Sequence, residues 1–301
     1  MRQLKTFALT LAIWGGFTSF LSIQSIQAQE WLPIRGGINF GISGLAFLAE
    51  QNNSQSFLVV HDNKKRDQGR LAIVTIDNQS QPRYLPLEWP AGVELPIDLE
   101  SVTAVPGQKF SFMASTSFGK VYYFRLNTDN NKVSIIKIFS LPSLPEGSNL
   151  EGFTLQEING KLLAVWAHRG QNQEPAVIYW GILDLKKYEI TPQGSAQLTV
   201  PWPVGKVRHI SDLKVDSAGA VYITSATDNG DDGPFTSAVY VAGAFSFQSN
   251  QFRLRVNRDL VSLYRLGFHK LEALELVPGA TGGVFLGTDD ENMGSSIWIE
   301  R

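Results

Sequence analysis

The sequence predicts an all-β chain folded as a five-bladed β-propeller, its ring closed by pairing strands from the N- and C-terminal ends. Three observations carry that reading. First, one short pattern occurs five times: a polar residue, a small or polar residue, then an apolar β-run. It appears in "ISGLAFL" from Ile42, "DLESVTA" from Asp98, "NLEGFTL" from Asn149, "ISDLKVD" from Ile210 and "KLEALEL" from Lys270. Second, the recurring positions Ser43, Glu100, Glu151, Ser211 and Glu272 are 57, 51, 60 and 61 residues apart. A period near 50 with strand content suggests one propeller blade per repeat. Third, the fifth unit stops after "SIWIER" without an outer strand, while "EWLPIRGGINF" near the start is a strand without a unit. Joining the two closes the ring and removes two exposed edges. A six-bladed ring is the alternative, if residues 185–209 hide extra strands.

The elements follow in order. Residues 1–28 begin with Arg2 and Lys5, continue through an apolar stretch and end at "SIQAQE", with Ala28 as the cleavage point. That is the pattern of a secretory signal peptide. It implies an exported protein, periplasmic or extracellular, with no stable membrane insertion after cleavage. Residues 29–301 then form one domain. In each unit the inner strand comes first, as in "GLAFLA" or "GFTLQEI". A turn rich in Gly, Pro or Asn follows. The second strands, such as "FLVVHD", "LLAVWAH" and "AVYITSA", are apolar on nearly every residue, as in strands covered on both faces. A β-sandwich strand with one solvated face should alternate instead.

Composition excludes several functions. The 26 basic residues less Arg2 and Lys5 leave 24 against 28 acidic ones, a net charge of −4. With no basic run, nothing points to a nucleic-acid partner. Cysteine is absent, which removes disulfides, thiolate metal sites and a Cys nucleophile. No G-x-S-x-G or H-E-x-x-H motif occurs. "TDNGDDG" from Thr227 resembles the start of a calcium loop, but Gly230 and Val239 stand where ligands are needed.

In a propeller, the loops entering the inner strands and those leaving the second strands open on one face. Glu100, Glu151 and Glu272 therefore gather at one mouth of the channel. The loops after the second strands bring His61, Asp62 and Lys64, His168 and Arg169, Asp228, and Asp289 and Asp290. A recurring polar residue can be scaffolding that bonds the next blade. Crowded carboxylates, however, repel one another unless protonated or neutralised. Arg169, Lys64, Lys270 and two histidines are the nearby cations. Calcium bound by Glu100, Glu151, Glu272, Asp62, Asp289 and Asp290 would neutralise the rest. His61 or His168 could act as a general base, and Lys64 and Arg169 could clamp an anionic group. His209 and His269 read as structural.

The ordered motifs "ISGLAF", "DLES", "NLEG", "ISDL" with "GAVYI", and "KLEALEL" with "VFLGTDDEN" resemble the phytase-like propellers, the "esterase-like activity of phytase" family. The resemblance runs from about Ile42 to Arg301. By it, Glu100, Glu151 and Glu272 match the family's repeated Glu, and Asp289 and Asp290 its Asp pair. Ser101 and Ala273 stand where the family has Gly. The first-blade loop reads "HDNKK" in place of an Asp pair, and "STSFGK" lacks an acidic residue. Two functions follow. One is a cation-dependent hydrolase of phosphate or carboxylic esters. The other is a non-catalytic propeller binding a glycan, peptide or envelope protein. Glycan-active enzymes with paired carboxylates are a third class. The expected partner is a small anionic ester or a glycan, and the expected state is a monomer.

Overall fold

The computed structural model describes residues 31–52, 54–77, 81–142, 144–278 and 283–299. The expected signal peptide lies outside them. Among the described residues, no helix is long and apolar enough to cross a membrane.

Strand β1 (Trp31–Arg35) opens the described chain. Blade 1 holds β2 (Gly44–Gln51), β3 (Ser54–Val60), β4 (Leu71–Asp77) and β5 (Arg83–Leu87). Blade 2 holds β6 (Leu99–Ala104), β7 (Ser111–Thr116), β8 (Lys120–Asn127) and β9 (Lys132–Ser140). Blade 3 holds β10 (Leu150–Ile158), β11 (Lys161–His168), β12 (Ala176–Asp184) and β13 (Glu189–Leu198). Blade 4 holds β14 (Val207–Val215), β15 (Ala220–Thr227), β16 (Thr236–Gln248), β17 (Gln251–Val256) and β18 (Ser262–Gly267). Blade 5 holds β19 (Leu271–Leu276), β20 (Val284–Thr288) and β21 (Ser295–Ile299), completed by β1. Trp31 lies opposite Trp298 and Arg35 opposite Ser295, so the terminal strands close the ring as expected. The N-terminal strand is shorter than its apolar run, because a 3-10 turn over Ile38–Phe40 carries the chain towards β2.

The core is not a single mass. The buried residues form one apolar cluster between each pair of adjacent blades, as with Leu58, Val60, Leu99 and Phe124 between blades 1 and 2. The last of these joins Val59 and Val74 of blade 1 to Phe285 and Ile297 of blade 5. This explains the unbroken apolar second strands: each has a neighbouring blade on both faces. Around the axis the inner strands come close, and small residues follow the recurring position. A Cβ at Gly44 would stand 2.8 Å from the Ser101 Cα, and one at Gly152 would stand 2.9 Å from Leu213.

Two features depart from the expected unit. Residues 185–209 contain the outer strand β13 and only the start of the next inner strand, β14, so the six-bladed alternative falls. The surplus strand is in blade 4, where the 13-residue β16 is long enough for two partners. Its lower half pairs with β17 and its upper half with β18.

Candidate active site at the channel mouth

The three repeated glutamates owe their orientation to one local device. Leu99 pairs with Thr116 and Ser101 with Ser115, which leaves Glu100 as an extra, unpaired residue. Glu151 is skipped in the same way between Leu150 and Gly152, and Glu272 between Leu271 and Ala273. A bulge of this kind bends the strand and re-aims one side chain. Here all three carboxyl groups are buried. Ser211 in blade 4 instead donates to the Leu271 carbonyl at 2.6 Å and ties blade 4 to blade 5. At this position serine is scaffolding, while the glutamates form the mouth.

Blades 3 to 5 supply a paired half of the mouth, centred on Arg208. Its Nη1 lies 2.7 Å from Glu272 Oε1 and 3.5 Å from Glu151 Oε1, and its Nη2 lies 3.1 Å from Asp228 Oδ2. Arg169 Nη1 adds a contact to Glu151 Oε1 at 3.2 Å. Lys270 Nζ sits 2.9 Å from Glu272 Oε1 and also pairs with Glu291. Burial alone would lower the affinity of Arg208 and Lys270 for protons, but the surrounding carboxylates outweigh it and hold both charged. Asp228 is held below its ordinary range because Arg208 outweighs its burial.

Blades 5, 1 and 2 supply an unpaired half. Among the described residues, no hydrogen bond or ion pair reaches the carboxyl groups of Glu100 or Asp62. Burial pushes Glu100 well above the usual carboxylate range, and Glu151, Asp62, Asp98 and Glu272 add to it. Burial, then Glu272, raises Asp62 to about 6. Burial and Glu272 also raise Asp289 well above its range; its Oδ1 accepts only the Glu291 N–H, at 3.0 Å. Gly41 makes room there, since a Cβ would stand 2.1 Å from Asp289 Oδ1. Glu151 lies on the border between the halves. Burial raises it to about 7, against the pull of Arg208 and Arg169.

The other residues singled out in the sequence have fixed partners. His61 Nδ1 meets the Gly41 carbonyl at 2.5 Å and its Nε2 meets the Tyr84 hydroxyl at 3.0 Å. Burial lowers its pKa to about 4, so the ring is neutral. His168 Nδ1 accepts the Asn149 N–H at 3.0 Å and its Nε2 lies 3.2 Å from Glu174. Both nitrogens of each ring are thus engaged away from an open site. Lys64 pairs with Asp98 at 2.9 Å, and Asp98 also accepts the Ser117 hydroxyl at 2.5 Å. Asp290 accepts from the Lys270 N–H, His269 and the Thr288 hydroxyl, and so braces the mouth. His209 is structural, bonded to the Val200 N–H and the Asn172 carbonyl. Among the described residues, no three acidic or histidine side chains converge closely enough to hold a metal ion.

The sequence reading missed Arg208, the centre of the paired half. Arg208 precedes Ser211 by three positions and lies outside the repeated motif. An irregular stretch between Arg208 and Asp212 brings it to the mouth. The available signal was an arginine three residues before the recurring position in a unit whose neighbours both carry Glu there.

No family model and no curated protein sequence matches the chain. The phytase-like resemblance therefore gains no support from sequence comparison. Solved structures do match. An endo-arabinanase of family GH43 from Bacillus licheniformis superposes with a TM-score of 0.50 at 11% identity, covering 90% of this chain and 96% of its own. A Bacillus subtilis arabinanase gives 0.48 at 10% identity, covering 88% and 95%. At such identities the likeness bears on the fold: this chain is a five-bladed propeller.

Proposed function

We propose that the channel mouth is the active site of an exported hydrolase that cleaves glycosidic bonds by proton transfer between carboxyl groups. The observation that carries this reading is Glu100, a buried carboxyl group with no cationic partner among the described residues, set against the arginine-held Glu151. Two carboxyl groups whose surroundings push their protonation apart are what acid–base cleavage of a glycoside needs. Glu100, whose burial favours its protonated form, gives a proton to the departing glycosidic oxygen. Glu151 takes a proton from the water that attacks the anomeric carbon. Arg169 and Arg208 hold Glu151 in place and favour its ionised form. The histidines are spent on packing, and no serine or cysteine nucleophile motif competes. The arabinanases that share the fold, by their names enzymes of a glycan, support the substrate class. The export rests on the signal-peptide pattern of residues 1–28.

The test is sugar release from a panel of neutral polysaccharides by the wild-type chain, Glu100→Gln and Glu151→Gln. Release by the wild type, with a loss of about 100-fold or more in each variant, is expected for removal of a general acid or base. Activity in Glu100→Gln close to wild type, or no release from any glycan, would reject the reading.

The calcium-dependent ester hydrolysis implied by the phytase-like resemblance is a second reading. It is favoured by the carboxyl groups of Asp62, Glu100 and Asp289, which form no ion pair among the described residues. Those side chains would have to draw together to hold the ion. Calcium at 100 times its dissociation constant would add about 2.7 kcal/mol of stability. A melting temperature that ignores both calcium and EGTA would count against this reading, as would an inert phosphate- and acyl-ester panel.

A further inference from the structure

The mouth face differs from the rest of the surface in one respect that the acid–base reading does not use. Phe118 and Phe268 are 75% and 78% exposed, and among the described residues no other aromatic side chain is left so open. Phe118 sits in the turn between β7 and β8, and Phe268 between β18 and β19, so both stand on the mouth side. Ile97 and Met293, exposed by 52% and 54%, lie on further loops of that face. The described loops at the other end of the channel expose no large apolar side chain. Exposed apolar groups gathered on one face mark a binding surface more often than chance exposure does.

Neither phenylalanine is a loose tip. The turn under Phe118 is pinned by the Ser117 N–H to the Asp98 carbonyl at 3.0 Å, the Leu150 N–H to the Ser117 carbonyl at 3.0 Å and the Leu141 N–H to the Gly119 carbonyl at 2.8 Å. Phe268 has a φ of 69°, a left-handed conformation suited to Gly or Asn. Its N–H donates to the Phe235 carbonyl at 2.8 Å, and the following His269 is bonded to Asp290. A bulky residue kept in that conformation costs free energy, and an exposed ring recovers none of it by burial. The strain is retained while the ring stays open to solvent.

The two rings flank the unpaired half of the mouth. Phe118 follows Ser117, which bonds Asp98 at the entry to the Glu100 strand of blade 2, and Phe268 precedes Lys270 and Glu272 of blade 5. We propose that Phe118 and Phe268 are stacking platforms for sugar rings on either side of the carboxyl groups. The ligand is then an extended, uncharged glycan chain rather than a single sugar. The C–H faces of sugar rings suit aromatic platforms, and their hydroxyls suit the polar centre. Exposed Asp231 and Asp232 on the rim disfavour a polyanion. The inference rests on the glycosidic reading of the same site, and the experiment separates the two.

The test is affinity electrophoresis of the full chain in gels containing arabinan, galactan, levan, xylan or polygalacturonate, with Glu100→Gln as the background to prevent turnover. At least one neutral polymer should retard Glu100→Gln. On that background Phe118→Ala and Phe268→Ala should each weaken retention about tenfold, or ~1.4 kcal/mol, and the double variant should abolish it. Melting temperatures should not change, because both rings are exposed. The disaccharide of the same polymer should compete weakly and equally against every variant. Unchanged retention in the double variant overturns the platforms, as does retention by polygalacturonate alone or by no polymer at all. Failure of the glycosidic reading shows separately, as sugar release by Glu100→Gln equal to that of the wild type.

Discussion

The two halves of the channel mouth are built from the same repeat yet solve opposite problems. In blades 3 to 5, the carboxylates around Arg208 each meet a cation: Glu151 with Arg169 and Arg208, Asp228 with Arg208, and Glu272 with Arg208 and Lys270. In blades 5, 1 and 2, buried Asp289 and Glu100 and half-buried Asp62 have no ion pair among the described residues. The first half is held by charge pairing. In the second, burial shifts the carboxyl groups towards their protonated forms. The difference teaches that a repeated glutamate carries no fixed role; the residues that the neighbouring blades bring beside it decide its protonation.

Substitutions on the two sides should therefore behave differently. The largest effect is expected for Arg208→Ala, which leaves Glu151, Glu272 and Asp228 short of a partner. Removing one member of a buried ion cluster costs about 3–5 kcal/mol, a fall in melting temperature on the order of 10 °C for a domain of this size. Calorimetry at neutral pH would show it. A loss below about 1 kcal/mol would mean that the paired half is not held by charge.

Glu151→Gln and Glu100→Gln sharpen the contrast. The first strands two arginines and should cost about 1–3 kcal/mol. The second removes an unpaired buried acid and should leave stability unchanged or raised. Both should lose hydrolysis. Equal destabilisation by the two would erase the distinction between the halves.

The pH dependence comes next in size. A carboxyl group with a raised folded pKa binds its proton more tightly folded than unfolded. Its stabilising contribution is complete below the unfolded value and is lost as pH rises through the folded one. Glu151 and the channel residue Asp212, both raised to about 7 mainly by burial, should therefore lower stability between pH 6.5 and 8. His61 acts in the opposite sense, but its effect lies mainly between its folded value of about 4 and its ordinary value of 6.5, in more acid solution. The melting temperature should fall from pH 6.5 to 8, and less steeply in Asp212→Asn. A rise over that interval would contradict the assignments. The smallest effect is expected from Lys64→Met, because the Lys64–Asp98 pair is largely open to solvent on the lysine side. Its loss should cost no more than about 1 kcal/mol, and less still in high salt.

The fold was legible because propeller repeats write the same strand order five times and because the last unit lacks its outer strand. The inner-strand glutamates could be placed at one mouth for the same reason. What could not be read was the bulge at each glutamate, since a skipped pairing leaves no mark in an apolar run. Arg208 escaped because its reach depends on the irregular backbone between it and Asp212. The second outer strand of blade 4 escaped because nothing in "SLYRLG" tells whether it pairs with β16 or extends β17. The partners of His61 and His168, a carbonyl and a hydroxyl in one ring and a backbone amide and a surface glutamate in the other, are likewise tertiary facts.

The most direct test of the account is the titration of the Glu100 carboxyl carbon by carbon-detected NMR in the intact chain, with Glu100→Gln to assign the signal. The account predicts that Glu100 titrates well above the ordinary glutamate range, because it is buried among other carboxyl groups. A Glu100 midpoint near the ordinary glutamate value of about 4.3 would contradict it, and with it the proton that the proposed cleavage requires.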